Sequence, residues 1–167
     1  MHINLSFVQI VKSNIVKDVL ENIERYSAAN NHYVFEITET IEMDQIPAVQ
    51  NVFKEFVKNE FRFAIDDFGT GYSNYGYMRD RTFDIVKVDR SFVTDIDKLK
   101  DNYLMVSFII KMAHEMGLHV CIEGVETKEE LSCVKKLGAD YIQGYYYGKP
   151  VCLQDFEEQH LKRFVLG

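Results

Sequence analysis

Short apolar runs alternate along this chain with longer segments in which apolar residues recur at every third or fourth position. The short runs predict strands at residues 2–6, 33–37, 62–65, 85–88, 119–122 and 141–143. The longer segments predict helices at 15–23, 47–57, 103–116, 128–137 and 153–164, and a short turn or helix at 75–78. Pro47 suits a first helical turn, and Gly117 and Gly138 are expected to end two of the helices. Strands that alternate with helices predict a parallel sheet with right-handed crossovers.

The spacing of these strands favours an α/β fold of the TIM type. A (β/α)₈ barrel of about 250 residues averages roughly 31 residues per unit, and the predicted strands are compatible with that interval. Such barrels place their active sites at the carboxyl ends of the strands. Functional side chains are therefore expected there.

A polar residue lies at or just beyond the end of each predicted strand. Two adjacent acids, Asp66 and Asp67, follow an apolar run and precede a glycine-rich turn. Because the carboxyl ends of parallel strands meet at one mouth of a barrel, we expect these side chains to converge. The full set, in strand order, is Asn4, then Glu36 with Glu39 a turn later, Asp66 with Asp67, Lys87, Glu123 and Gln143.

The chemistry of this set is compatible with metal-assisted hydrolysis of a phosphodiester. Carboxylate and amide oxygens are the ligands that Mg²⁺ or Mn²⁺ prefers, and Asn4, Glu36, Asp66 and Glu123 supply them. A second ion near Asp66 and Asp67 would complete a two-metal clamp about 3.5–4 Å wide. Lys87 faces several carboxylates, so it should stay protonated and orient a water rather than act as a free base.

Each residue also has a purely structural interpretation. Asn4 and Gln143 suit turns, and the acids at 36 and 39 suit the solvated first turn of a helix. Lys87 beside Asp89 suits an exposed ion pair, and Asp66 with Asp67 suits a solvated turn. The aromatic segment 145–147 suits packing at the barrel rim. Only the occurrence of all these polar residues at strand ends favours a shared site.

Composition narrows the function. The 167 residues are 47% hydrophobic and 27% charged, which is typical of one globular domain, and the formal net charge is −7. This charge argues against a nucleic-acid groove, and an anionic substrate would need bound metal. The three cysteines, an odd number without a Cys-x-x-Cys pair, indicate neither a disulfide framework nor a thiolate zinc site, and Cys121 is expected in the core.

The segment 65–73, IDDFGTGYS, resembles the signature loop of the EAL domain, the bacterial phosphodiesterase module for cyclic di-GMP. The resemblance extends over nearly the whole chain. It includes INLS at 3–6, FEITET at 35–40, DIVKVDRSF at 84–92, IEGVET at 122–127 and GADYIQG at 138–144.

This resemblance implies a role for each matching residue. Lys87 would position the nucleophilic water, Glu126 would support the site and Gln143 would line it for the substrate. Glu39 would hold the signature loop, which in this family communicates with a dimer interface. The implied metal ligands are Asn4, Glu36, Asp66, Asp67 and Glu123.

The chain also departs from the family pattern. The Glu-Ala-Leu tripeptide and the substrate-binding arginine that accompanies it are absent. The chain resembles the last six strands of an eight-stranded barrel, so we expect an incomplete TIM-type barrel over residues 1–167, shortened at its N-terminus. With one metal ligand missing, hydrolysis by the isolated chain should be weak or undetectable, and two open sheet edges should promote self-association.

Three functions follow from these observations. The first is a cyclic di-GMP phosphodiesterase domain that hydrolyses the dinucleotide to its linear form. The second is an inactive EAL-type module that binds cyclic di-GMP or a protein partner in signalling. The third, a Rossmann-type nucleotide site, is disfavoured because Asn74 replaces the third glycine of G-x-G-x-x-G and the two acids would repel a bare pyrophosphate.

The N-terminus lacks a signal-peptide pattern, and no apolar run is long enough to span a bilayer. A cytoplasmic location is therefore expected. By analogy with the family we also expect a homodimer or a sensor domain upstream.

Overall fold

The structure is a computed structural model that describes residues 1–12, 14–24, 30–38, 47–70 and 82–158. Its strands are β1 (His2–Asn4), β2 (Val34–Thr38), β3 (Arg62–Phe68), β4 (Ile85–Val88), β5 (His119–Ile122) and β6 (Tyr141–Ile142). Its helices are α1 (Phe7–Lys12), α2 (Ile15–Glu24), α3 (Pro47–Lys58), α4 (Lys100–Glu115), α5 (Lys128–Leu137) and α6 (Leu153–Phe156). All six predicted strands are therefore confirmed, with shifts of a few residues at their ends.

The six strands form one parallel sheet in the order β1-β2-β3-β4-β5-β6. Each strand pairs with the next one along the chain, as the alternating pattern predicted. Among the described strands, β1 and β6 are the two edges. The carboxyl ends of all six strands therefore lie at the same end of the sheet, and the predicted site residues lie at that end.

One face of the sheet is packed against the helices. Successive side chains of a strand point to opposite faces, so alternate residues share an environment. On the helix-facing side these residues are apolar and almost completely buried. They are Phe35 and Ile37 on β2, Phe63 and Ile65 on β3, Val86 and Val88 on β4, and Val120 and Ile122 on β5.

The other face of the sheet carries two layers of side chains that follow one another along the strands, an apolar level and a charged level. A small apolar cluster lies near the beginning of the strands and contains Val34, Ala64, Ile85 and Cys121. Two residues further along each of these strands are Glu36, Asp66, Lys87 and Glu123. Strand alternation thus places the charged residues together, directly above an apolar layer.

Helix α3 shows how the helical layer is held. Phe53 and Phe56 are buried, and their ring centroids lie 4.8 Å from those of Phe63 and Phe35 respectively. Each buried aromatic side chain stabilises the fold by about 1.5–3 kcal/mol. Val57, the last residue of the predicted helix, is 45% exposed and is not part of the apolar face that packs on the sheet.

The helices depart from the prediction at two points. Helix α4 begins at Lys100, a turn before the predicted start, and α1 was not predicted at all. Of the predicted closing helix at 153–164, the structure describes α6 and two further residues, and the remainder lies outside the described residues, as does the turn at 75–78. Within the described ranges, no helix combines the length and apolar composition needed to cross a membrane.

Candidate active site

Lys87 lies at the centre of the charged level of the sheet. Its side chain is 4% exposed, and its Nζ contacts Glu36 Oε1 and Asp66 Oδ1 at 2.7 Å each and Glu123 Oε1 at 2.8 Å. The three carboxylates come from β2, β3 and the end of β5. The interpretation of Lys87 as an exposed partner of Asp89 is therefore wrong. So is that of Glu36 as a solvated residue, because it is only 8% exposed.

The ionisation of Lys87 is set by these contacts. Burial alone would lower its pKa, but the hydrogen bonds with Asp66, Glu123 and Glu36 outweigh burial and raise the pKa above its ordinary value. Burial raises the pKa of Glu123, and the attraction of Lys87 only partly offsets that effect. Lys87 is therefore an ammonium ion at neutral pH, in agreement with the expectation that it is not a free base.

Asp66 and Asp67 lie at the end of β3, where the pairing with β4 shifts register between Ile65 and Phe68. Two residues of β3 there oppose the single Lys87, which is the arrangement of a β-bulge. Asp67 has a left-handed φ of 54°, a conformation that aspartate tolerates better than most residues. The bulge explains how two consecutive acids turn to the same site although a regular strand would place them on opposite faces.

The bulge creates a candidate cation site. Ligand oxygens of Asp66, Asp67 and Glu123 all lie within 4.8 Å of one another. Burial raises the pKa of Asp67, and the negative charge of Asp66 adds to this shift. A set of crowded carboxylate oxygens is the donor chemistry that suits Mg²⁺, Mn²⁺ or Ca²⁺.

The remaining predicted ligands lie close to this group but are not within it. Glu36 is joined to Asp66 and Glu123 through Lys87. Asn4 is exposed on β1 and is paired in register with Glu36. Glu39 lies outside the described residues.

His2 is a member of the cluster that the sequence pattern did not reveal. Its Nδ1 lies 2.6 Å from Glu36 Oε1, the same oxygen that Lys87 contacts. The five histidines show no ligand spacing along the sequence. The signal that would have found His2 is its position two residues before Asn4 on β1, and hence on the same face of the sheet.

A pocket of about 220 Å³ opens beside the charged cluster. It contains Glu126 and Gln143, the two exposed residues that were predicted to support and line the site. It also contains Asp89 and Arg90, which follow β4 directly and were not assigned a role. Glu123 belongs both to this pocket and to the lysine cluster, so the two are continuous.

Two glycines allow the loops around this pocket to approach closely. Gly124 has a φ of +72°, and a Cβ there would lie 2.3 Å from the Cβ of Arg90. A Cβ at Gly144 would lie 2.1 Å from the carbonyl oxygen of Val125. The loops after β4, β5 and β6 are therefore packed backbone to backbone, which fixes the pocket walls.

Glu130, at the start of α5, joins two of these loops through hydrogen bonds to their backbone. Its buried carboxylate accepts hydrogen bonds from the backbone N–H groups of Asp95, Glu126 and Thr127. The hydroxyl oxygen of Thr127 in turn accepts a hydrogen bond from the backbone N–H of Glu130, which completes a capping box. Despite burial, these hydrogen bonds lower the pKa of Glu130.

A parallel α/β sheet with a lysine held by carboxylates at its carboxyl ends, next to an open pocket, defines a barrel-type protein with a candidate metal centre. The family model described as "EAL domain" matches residues 1–150. The chain therefore belongs to the EAL domain family, and the predicted resemblance is confirmed.

Individual relatives agree with this assignment. The chain is 34% identical over 153 residues to the "Probable cyclic di-GMP phosphodiesterase PdeA" of Escherichia coli, a match that covers 92% of this chain and 21% of that protein. It also resembles the structure of the EAL enzyme Bd1971 in its "cAMP and cyclic-di-GMP bound form", with 34% identity and a TM-score of 0.88, over 95% of this chain and 42% of that one.

A third match is the Klebsiella pneumoniae BlrP1 structure described as a "manganese/cy-diGMP complex". It shares 27% identity and a TM-score of 0.81, over 89% of this chain and 38% of that one. These structures confirm the incomplete TIM-type barrel as the fold. The chain spans about a fifth of the length of the curated relatives that it matches first.

Proposed function

We propose that this chain is a cyclic di-GMP phosphodiesterase domain that hydrolyses the dinucleotide to its linear form with the help of Mg²⁺ or Mn²⁺. The observation that carries the proposal is the contact of Lys87 with Glu36, Asp66 and Glu123 at the carboxyl ends of neighbouring strands. The relatives named above support the choice of substrate, since one is named a probable cyclic di-GMP phosphodiesterase and two structures carry the dinucleotide in their descriptions.

The oxygen donors suit the proposed cations. Asp66, Asp67 and Glu123 form the compact part of the site, and Glu36 and Asn4 extend it towards β1. When bound, a divalent cation would lower the pKa of a coordinated water and neutralise phosphate charge. The manganese complex of BlrP1 supports this choice of metal.

Lys87 is proposed to orient the attacking water. Three carboxylates hold its ammonium in a fixed position, and a carboxylate that turned to a bound cation would free one of the three N–H groups to donate to the water. Because its pKa is raised, Lys87 is not proposed to remove the proton from the water.

The pocket residues are proposed to hold the dinucleotide. Gln143 offers an amide that can donate and accept hydrogen bonds, and Arg90 offers a cation suited to a phosphate. Glu126 is proposed to support this wall, where its N–H is already bonded to Glu130. Glu39 is proposed to support the signature loop, as the family resemblance implies, and assembly as a homodimer or with a sensor domain belongs to the same proposal.

The decisive assay is the formation of the linear dinucleotide with Mg²⁺ or Mn²⁺ present, combined with calorimetric titration of the metal. We expect hydrolysis by the wild-type chain to be weak or undetectable, because one metal ligand of the family pattern is absent. Asp66→Asn should abolish any turnover and weaken metal binding while the fold is retained. Asp101→Asn, which changes an exposed acid on α4, is the matched control and should behave as the wild type.

Two outcomes would contradict the proposal in different ways. Tight binding of cyclic di-GMP together with no measurable binding of Mg²⁺ or Mn²⁺ and no turnover would favour the alternative of an inactive binding module. Metal affinity that is the same in Asp66→Asn and the wild type would refute the assignment of the site.

A further inference from the structure

His2 makes a contact that distinguishes Glu36 from the other carboxylates of the site. Its Nδ1 lies 2.6 Å from Glu36 Oε1, and the side chain of Glu36 is only 9% exposed. His2 pairs in register with Val34 on β2, two residues before the pair of Asn4 and Glu36. The imidazole therefore reaches diagonally across the strand pair, which is within the span of a long side chain.

The direction of the hydrogen bond follows from the partner. A carboxylate oxygen accepts, so Nδ1 of His2 carries the proton and donates it. Lys87 donates to the same oxygen at 2.7 Å. Among the described residues, both donors to Glu36 thus hold Oε1, and Oε2 is the oxygen that Glu36 can present to a cation.

Lys87 alone does not fix the orientation of Glu36. Its ammonium is shared among carboxylates of three strands, and its contact with a single oxygen of Glu36 leaves that carboxylate free to rotate about the contact. Among the residues that the structure describes, the side-chain contact recorded for His2 goes to Glu36. The planar ring of His2 is therefore the group that selects one rotation of this carboxylate.

We propose that His2 is a positioning residue that orients Glu36 for the binding of a divalent cation. This inference rests on the proposed function only in its assumption that Glu36 helps to hold the metal. Hydrogen-bond partners of metal ligands commonly contribute about 10–100-fold to metal affinity.

Three substitutions at His2 separate this role from simple packing. The amide nitrogen of asparagine lies as many bonds from the backbone as Nδ1 of histidine does, whereas glutamine places its amide one bond further out. We expect His2→Ala and His2→Gln to weaken Mn²⁺ binding about 10–100-fold in calorimetry, and His2→Asn to retain most of the wild-type affinity. Because His2 lies at an edge strand and its side chain is 40% exposed, the fold should persist, and circular dichroism checks this.

A double-mutant cycle identifies Glu36 as the residue through which His2 acts. In a Glu36→Gln background, His2→Ala should produce no further loss of Mn²⁺ affinity. An independent readout without metal is the ¹⁵N NMR spectrum of His2, which should show the proton on Nδ1 in the wild type and lose that signature in Glu36→Gln.

The outcomes distinguish this inference from the proposed function. Unchanged Mn²⁺ affinity in His2→Ala, with normal binding by the wild type, would overturn the inference and leave the proposed function intact. Equal losses in the asparagine, glutamine and alanine variants would also overturn it, because they would indicate packing rather than a donor at one position. Absence of Mn²⁺ binding by the wild type would overturn the metal centre and this inference together.

Discussion

The removal of the Lys87 ammonium is the most direct test of the electrostatics of the site. Lys87→Met keeps most of the side-chain volume and deletes the charge. It leaves the carboxylates of Glu36, Asp66 and Glu123 within reach of one another without the cation that now lies 2.7–2.8 Å from each. All three are at least four-fifths buried, so water cannot fully replace the ammonium.

The expected magnitude follows from the burial of this cluster. Removing one partner from a buried ion pair typically destabilises a protein by about 3–5 kcal/mol. In a chain of this size, 1 kcal/mol shifts Tm by about 2–4 °C, so we expect a decrease of roughly 6–20 °C. The carboxylates limit this loss by taking up protons, since each unit of raised pKa corresponds to about 1.36 kcal/mol.

The measurement is thermal unfolding followed by circular dichroism in a chelating buffer at neutral pH. The variant should recover stability as the pH is lowered, because burial raises the pKa of Glu123 in the folded state, so its carboxylate takes up a proton more readily there than in the unfolded chain. Lys98→Met is the control: it breaks an ion pair of 2.6 Å with Asp95, but Lys98 is exposed, so its Tm should hardly change. Equal Tm values for Lys87→Met and the wild type at neutral pH would refute the reasoning.

Two further predictions concern the loops that shape the pocket. Gly124→Ala should lower the free energy of unfolding by about 1–3 kcal/mol more than Gly117→Ala. Both glycines have positive φ, but only the new Cβ at position 124 meets Arg90, whereas position 117 is open; equal losses in urea unfolding would contradict the predicted clash. Glu130→Gln should lose stability at neutral pH and converge with the wild type on acidification, because the lowered pKa of Glu130 stabilises the fold above its ordinary value of 4.5 and this contribution disappears as the pH falls through the folded pKa. If the urea midpoints of Glu130→Gln and the wild type differed by the same amount at neutral and at acidic pH, this prediction would be contradicted.

The sequence predicted the strands well because each is an apolar run whose environment is set by strand alternation. Phe35 and Ile37 on β2, for example, are buried against the helices, while Glu36 between them points to the other face. The predicted meeting of Glu36, Asp66, Lys87 and Glu123 depends only on this alternation and on parallel strand order. Both are properties that a pattern of residues can express.

The details that escaped prediction depend on pairing between distant segments. The bulge at Asp66 and Asp67 arises from the register of β3 with β4, and no local pattern specifies that register. The contact of His2 with Glu36 likewise joins residues that are far apart in the chain. Only the structure shows that this bulge is what brings both acids of β3 within reach of Glu123.

Helix α1 was missed although a local signal is present. Ser6 and Gln9 bond reciprocally, with the Ser6 N–H donating to Gln9 Oε1 at 2.9 Å and the Gln9 N–H reaching Ser6 Oγ at 3.4 Å. This is the capping box of a serine followed three residues later by a glutamine. The apolar residues of so short a helix do not repeat often enough to show a helical period, so the cap was the better indicator.

The arrangement of charges on the inner face of the sheet links stability to function. The apolar layer formed by Val34, Ala64, Ile85 and Cys121 lies beneath the charged level and keeps its surroundings poorly hydrated, and burial raises the pKa of the Cys121 thiol to about 12. Above this layer the carboxylates outnumber the single ammonium of Lys87. Their mutual repulsion costs stability, and it adds to the effect of burial in raising the pKa of Asp67. A divalent cation would relieve the same repulsion, so the excess of negative charge that weakens the fold is also the source of the proposed affinity for metal.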